Sequence, residues 1–262
     1  MSRTETPRSA GVVNRLLSSR HSLPLTIALH LLPGVPIVAA YLGIASPVVD
    51  MLGLPPYLGW VIAMCLGLAP VQLGLLVFLG RRRTGRFSLR EVVLYRDRPT
   101  KRGRLIGLVL ALFVGVFVAS FLLAPIDTAV HETLFFWIPF ENTGGGGGFV
   151  TGYPRQTVIV TLAVCVVLTG VLLPIVEELY FRGFLLPRIS HLGRWAPVLN
   201  ATLFSLYHFW TPWQLVSRIG YFLPTVWATW RKKDLRISIW VHCAANSVLQ
   251  LAVLTAIILG YA

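Results

Sequence analysis

The chain has 262 residues, of which 55% are hydrophobic and 13% charged, and its net charge is +13. Soluble globular domains carry roughly 25% charged residues, so this balance excludes an ordinary soluble fold. The basic excess does not point to nucleic acid, because Lys and Arg sit in short stretches between apolar runs and not on one module.

Residues 1–22 form an N-terminal segment carrying Arg3, Arg8, Arg15 and Arg20. The apolar run that follows is broken by Pro33 and Pro36 and has no small-residue cleavage site, so the first span is expected to stay in the chain. A spanning helix needs about 20 apolar residues. Seven stretches fit or approach that length: Leu23 to Gly43, Tyr57 to Leu79, Leu105 to Ala124, Val158 to Val176 running past Glu178, Trp195 to Trp210, Gln214 to Trp230, and Ile237 to Tyr261. The expected fold is all-α, a polytopic transmembrane bundle of about seven spans with room for an eighth element. The fifth and sixth spans are short or interrupted, the sixth by Arg218, which predicts tilt or shielding by neighbours. The chain then divides into a three-span region at 23–124, a Gly-rich loop at 125–157 and a four-span core at 158–262.

Short cytoplasmic loops are enriched in Lys and Arg. Arg81 to Arg104 holds nine Arg and one Lys, whereas Pro125 to Gln156 holds Asp127, Glu132 and Glu141 against Arg155. The first loop is expected inside and the second outside, which makes the N-terminus cytoplasmic in a multi-pass protein of the cell membrane. Five consecutive glycines, Gly144 to Gly148, read as a flexible external linker; a phosphate cradle would continue into Lys-Ser/Thr, and Phe149 and Val150 follow instead. Cys65, Cys165 and Cys243 lie in apolar runs without CxxC or Cys/His spacing and read as packing residues.

Ionisable residues inside these runs carry the functional signal. Each charge at a helix centre costs about 2.5–3.5 kcal/mol, so such residues need partners or water. The fourth span contains PIVEELYFRG, with Glu178 and Arg182 at i,i+4 on one face and Glu177 about 100° away, free for another partner. In the fifth, Asn200, Phe204 and His208 share one face of the expected helix. In the seventh, His242 and Asn246 share another. At about 1.5 Å per residue, Glu177, His208 and His242 lie about 16, 20 and 9 Å above the nearest basic loop residues, a rough common depth.

These three motifs, Glu177-Glu178-x-x-x-Arg182, Phe204-x-x-x-His208 and His242-x-x-x-Asn246, resemble in kind and order those of the CPBP intramembrane endopeptidases, the family of type II CAAX prenyl proteases and bacteriocin-processing or immunity proteins. Pro174 before the first motif and Phe181-Arg182-Gly183 within it agree, and the likeness spans about Val158 to Leu251. The resemblance implies hydrolysis of a peptide bond in a membrane-associated protein or peptide, prenylated or not. It implies Glu177 as general base with His208 holding or deprotonating the water, Glu178 ionised beside Arg182, Phe204 as support, and His242 and Asn246 as oxyanion donors. All five catalytic candidates are expected in one cavity open toward the cytoplasmic side.

No obligatory cofactor is expected. Zinc is the alternative, with Glu177, Glu178, His208 and His242 as ligands, although the adjacent carboxylates differ from HExxH. Ser205 and Ser247 are not in i,i+4 register with a histidine, which argues against a serine nucleophile. Two other classes remain open: a non-catalytic scaffold or immunity protein of the same fold, and a transporter, whose expected internal repeat is not visible in the sequence.

Overall fold

A computed structural model describes residues 7–96, 99–138 and 152–260, with side chains from Gly11 onward. The glycine run 144–148 lies outside the described residues. Among the described residues there is no strand, and eight principal helices follow in order. They are α1 (Pro7–Leu17), α2 (Leu23–Met51), α3 (Pro56–Thr84), α4 (Arg102–Leu134), α5 (Arg155–Arg188), α6 (Trp195–Leu206), α7 (Leu215–Lys232) and α8 (Arg236–Leu259). Helices α2, α3, α4, α5 and α8 are long and apolar enough to cross a membrane, so the chain is a multi-pass membrane protein.

The other two of the seven expected spans differ for physical reasons. Helix α6 has 12 residues and is therefore about 18 Å long, short of the roughly 30 Å hydrocarbon core. Helix α7 has 18 residues but carries Arg218, Arg231 and Lys232, and it buries a face with Ser217, Arg218, Phe222, Thr225, Val226 and Thr229. Helix α4, in contrast, continues through Pro125 to Leu134. Asp127 and Glu132, expected in the following loop, thus lie on the helix, and Asp127 accepts a hydrogen bond from Ser217 Oγ of α7 at 2.8 Å.

Antiparallel α2 and α3 cross where Gly67 meets α2: a Cβ there would lie 2.6 Å from the backbone nitrogen of Ile37. Helix α4 packs on α7 and α8, α6 on α7 and α2, and α8 along α5. The second half of α5 is the centre, with Tyr180, Phe181, Phe184 and Leu185 buried. Helix α1 packs Val13, Leu16 and Leu17 against this core.

The segment between α3 and α4 folds back over one end of α5. Val92 and Val93 are buried there. Leu94 N–H donates to Gly183 O at 2.8 Å, Leu235 N–H donates to Tyr95 O at 2.9 Å, and Arg188 Nη1 donates to Val92 O at 3.1 Å. Asp234 clasps the far side of this segment. Its carboxylate accepts from Thr100 N–H at 2.7 Å and from Arg236 Nη2 at 2.9 Å, while Arg236 Nη2 also donates to Thr100 O at 2.8 Å.

Burial alone would push the Asp234 carboxyl up, but the hydrogen bonds from Arg236 and Thr100 outweigh it and hold the group down to about 2. A depressed folded-state value means the clasp stabilises fully above the ordinary aspartate value near 4 and is lost as pH falls toward 2. Asp234→Asn is expected to lower stability at pH 7 by about 1–2 kcal/mol, Arg236 being partly exposed to solvent. Thermal unfolding in detergent should show the gap between the two proteins closing between pH 4 and 2; a gap independent of pH would contradict the clasp.

Candidate active site

Helix α5 does not keep a regular hydrogen-bond ladder. It passes through π turns at Leu168–Leu172 and Glu178–Leu185, with an α-helical turn, Leu173–Glu177, between them. Pro174 has no N–H, so Thr169 O in the π register and Gly170 O in the α register both lose their donor. Side chains of α8 replace it: Asn246 Nδ2 donates to Thr169 O and Ser247 Oγ to Gly170 O, each at 3.0 Å. The approach requires glycine, since a Cβ at 170 would lie 2.8 Å from Ser247 Oγ.

The second π turn begins at the paired glutamates. Phe181 O within it takes a hydrogen bond from Asn200 Nδ2 at 3.0 Å. Asn200 also meets His30 Nε2 at 3.0 Å, and His30 Nδ1 contacts Thr26 O at 2.7 Å. A carbonyl only accepts, so Nδ1 of His30 carries the proton and Nε2 receives the amide of Asn200. Asn200 therefore turns toward α2 and α5 and supports the site from behind.

Glu178 and Arg182 form the expected pair, with Arg182 Nη1 3.2 Å from Glu178 Oε1 and both side chains essentially inaccessible. The guanidinium lies over the Phe204 ring at 3.9 Å. His242 Nδ1 donates to the same Glu178 oxygen at 2.9 Å, which leaves Nε2 on the side of Glu177, 3.9 Å from its Oε2 and too far for a direct hydrogen bond. Glu177 is anchored through its other oxygen, which accepts the Tyr207 hydroxyl at 2.7 Å.

His208 lies outside the helix on which the sequence places it. Helix α6 ends at Leu206, and His208 Nδ1 meets Phe204 O at 2.7 Å. The side chain thus caps the carbonyl that a continuing helix would have paired with the backbone. Because that carbonyl accepts, Nδ1 holds the proton and neutral His208 keeps a lone pair on Nε2.

Glu177, His208, His242 and Asn246 line one cavity of about 530 Å³. Glu178 is absent from its wall and sits behind His242. Tyr57, Trp60, Arg218, Tyr221 and Gln250 are also in the lining. On α5 the lining residues precede Glu177 in sequence, on α8 they follow His242, and on α7 they lie in its first half. The cavity therefore rises toward the end of the bundle opposite the basic loops, whereas the end at those loops is covered by the segment before α4. A cavity open toward the Arg-rich side, as expected from sequence, is not what forms.

Among the described residues no three His, Cys, Asp or Glu side chains are grouped to hold a metal ion. Glu178 meets Arg182 and His242, and one oxygen of Glu177 accepts from Tyr207. The serine hydroxyls are likewise spent on carbonyls, Ser205 on Ala201 O at 2.8 Å and Ser247 on Gly170 O.

Tyr207 and His30 carried no sequence signal, because a lone hydroxyl and a lone imidazole in apolar runs stand in no helical register with the motifs. Arg218 did have one, as an Arg inside an apolar helix.

A family model described as type II CAAX prenyl endopeptidase Rce1-like matches residues 159–248. That interval covers α5 from Ile159, all of α6 and α7, and α8 through Val248. No curated protein and no solved structure matches the chain.

Breaking the inner ion pair tests this architecture. Glu178→Gln leaves Arg182 charged and buried without its carboxylate, so the fold is expected to lose about 3–5 kcal/mol. Thermal unfolding should register the loss, whereas Asn246→Ala, which frees one partly buried carbonyl, should cost about 1–3 kcal/mol. Equal stability of Glu178→Gln and the parent protein would show that the pair does not hold α5.

Proposed function

We propose, from residues 159–248 belonging to the type II CAAX prenyl endopeptidase Rce1-like family of proteases, that the chain is an intramembrane endopeptidase acting through glutamate-activated water. The observation that carries this reading is the position of Glu177: a carboxylate 7% exposed, facing a cavity in a membrane bundle, with no cation among the described residues in an ion pair to it other than His242. Buried carboxylates in structural roles are paired as Glu178 is; Glu177 is held and left available.

Peptide hydrolysis needs a base for water, donors for the oxyanion and a proton for the leaving amine. Glu177, steadied by Tyr207, takes a proton from water while the Nε2 lone pair of His208 helps orient that water. The hydroxide adds to the scissile carbonyl. His242, whose Nε2 is a donor in the form that carries a proton on each ring nitrogen, and Asn246 supply donors to the oxyanion. Collapse of the tetrahedral intermediate breaks the C–N bond, and the proton held by Glu177 passes to the amine. Arg182 and Glu178 act through His242 by holding its Nδ1 side.

The substrate class is a membrane-associated protein or peptide. Because residues 89–96 cover the basic-loop end, a prenylated substrate in the cytoplasmic leaflet would have to enter from the bilayer or displace that segment. The alternative of a scaffold or immunity role is not favoured by any contact in the site.

Glu177→Gln preserves shape and the Tyr207 contact but removes the base. Cleavage is expected to fall by at least about 10²-fold with unfolding temperature nearly unchanged. Unaltered processing by this variant would leave the scaffold role in front. Activity should also survive thorough chelation; loss of activity that added zinc restores would move the reading to a metal-dependent mechanism.

Topology forms a separate test. The charge bias places the Arg81 to Arg104 loop inside, and with it the cavity rises toward the external face. Reporter fusions after Arg90 and at Gly53 should report cytoplasmic and external positions respectively. The reverse assignment would turn the cavity to the cytoplasm and reopen direct access for cytoplasmic lipidated substrates.

A further inference from the structure

Arg218 is the one strongly charged group in the cavity wall that the proposed chemistry does not use. It lies on the inward face of α7 and is 6% exposed. An Arg within an apolar helix costs several kcal/mol unless something complements it. Its contacts here are neutral: Nη2 donates to Thr211 Oγ1 at 2.8 Å and to Gln214 Oε1, the Tyr221 hydroxyl is a further hydrogen-bond partner of the guanidinium, and Nη1 is buried without an acceptor. Among the described residues no carboxylate stands within ion-pair distance of it. Asp127, the nearby acid of α4, spends one oxygen on Ser217 at 2.8 Å, and its other oxygen has no partner.

The position of this cation relative to Glu177 is fixed by α7. Phe222, one turn further along, packs its ring against His242 at 4.9 Å between centroids. Arg218 thus stands about 6 Å farther up the cavity than the ring that touches the candidate site. A planar guanidinium with one nitrogen left without an acceptor on the cavity wall matches a carboxylate, which it can hold through paired charge-assisted hydrogen bonds.

We infer that Arg218 is a substrate-binding residue that anchors a carboxylate of the bound peptide above the cleavage point. The inference rests on the endopeptidase reading for the identity of the ligand as a peptide. The carboxylate belongs either to the peptide's C-terminus or to an acidic side chain; both present the same chemistry to Arg218. The anchor makes binding selective for an anionic peptide in a cavity whose remaining walls are largely neutral.

Binding can be measured apart from turnover on the full chain in detergent, with Glu177→Gln present to prevent cleavage. Trp60 and Trp210 line the cavity, so their fluorescence reports occupancy. Three probes suffice: a short N-acetylated apolar peptide with a free C-terminal carboxylate, its C-terminal amide, and the same amide with one residue replaced by aspartate. The free acid or the aspartate peptide should bind roughly tenfold or more tighter than the neutral amide, and which one does identifies the source of the carboxylate. Adding Arg218→Gln should abolish the difference, and Arg218→Lys should restore part of it.

Equal binding of all three probes, no binding by any, or a preference that persists in Arg218→Gln would overturn the inference. The comparison among probes on Arg218-intact protein stands even if Arg218→Gln does not fold. Failure of the endopeptidase reading looks different: the parent chain would cleave no substrate in a Glu177-dependent manner, whatever its order of peptide affinities.

Discussion

Two prolines deprive the central helix of backbone donors at positions where water is scarce, and the neighbouring helices are arranged around the carbonyls this leaves. Within a bilayer every unpaired backbone group costs several kcal/mol, so a helix can be broken only where other protein groups complete it. Pro174 opens Thr169 O and Gly170 O, which Asn246 and Ser247 close from α8. Pro187 removes the donor due to Gly183 O, which Leu94 N–H closes from the segment before α4. Asn200, backed by His30, adds a third cross-link at Phe181 O. Helices α2, α6 and α8 are thereby keyed to α5 at defined heights, and the side chains around Glu177 inherit that register.

The same register sorts the charges into two tiers. Behind, Arg182 is enclosed by Phe204 and paired with Glu178, so its charge is neutralised where no water reaches it. In front, Glu177 has a neutral hydroxyl as its closest partner and the cavity beside it. His242 belongs to both tiers, with Nδ1 on Glu178 and Nε2 toward Glu177. A proton on His242 is stabilised by the rear carboxylate without that carboxylate touching a substrate. The adjacent glutamates therefore differ through their partners, not through their own chemistry.

Much of this was legible in the sequence because helical spacing is a local property. The 178/182 pairing, the freedom of Glu177 and the inward aim of His242 and Asn246 follow from residue intervals, and the ion pair forms even though the segment is π and not α. What was hidden depends on tertiary contact. His208 was placed on a helix because apolar character continues to Trp210, but its own side chain takes the Phe204 carbonyl and the helix stops. Asn200 shares the Phe204 face by spacing, yet it is drawn to a π-turn carbonyl that a sequence does not display. The extension of α4 past Pro125 depends on Asp127 meeting Ser217, a contact 90 residues apart in the chain. The direction in which the cavity rises depends on how residues 89–96 pack, and their composition reads only as a basic loop.

The short helix α6 bears on how the proposed hydrolytic site could reach water. At 12 residues it ends well before the thickness of a bilayer, so the turn that follows lies at membrane depth. Irregular backbone is tolerated there only if it is internally satisfied or lines a wet cavity. The turn is internally satisfied: Thr211 N–H donates to His208 O at 3.0 Å and Gln214 N–H to Thr211 O at 3.1 Å, while His208, Thr211 and Gln214 all line the cavity that contains Glu177. Arg218 then binds the side chains of Thr211 and Gln214, fastening the turn to α7. A full-length apolar helix in place of α6 would have covered Glu177 with hydrocarbon. Truncating it brings the polar side chains of His208, Thr211 and Gln214 down to the cavity that holds the carboxylate.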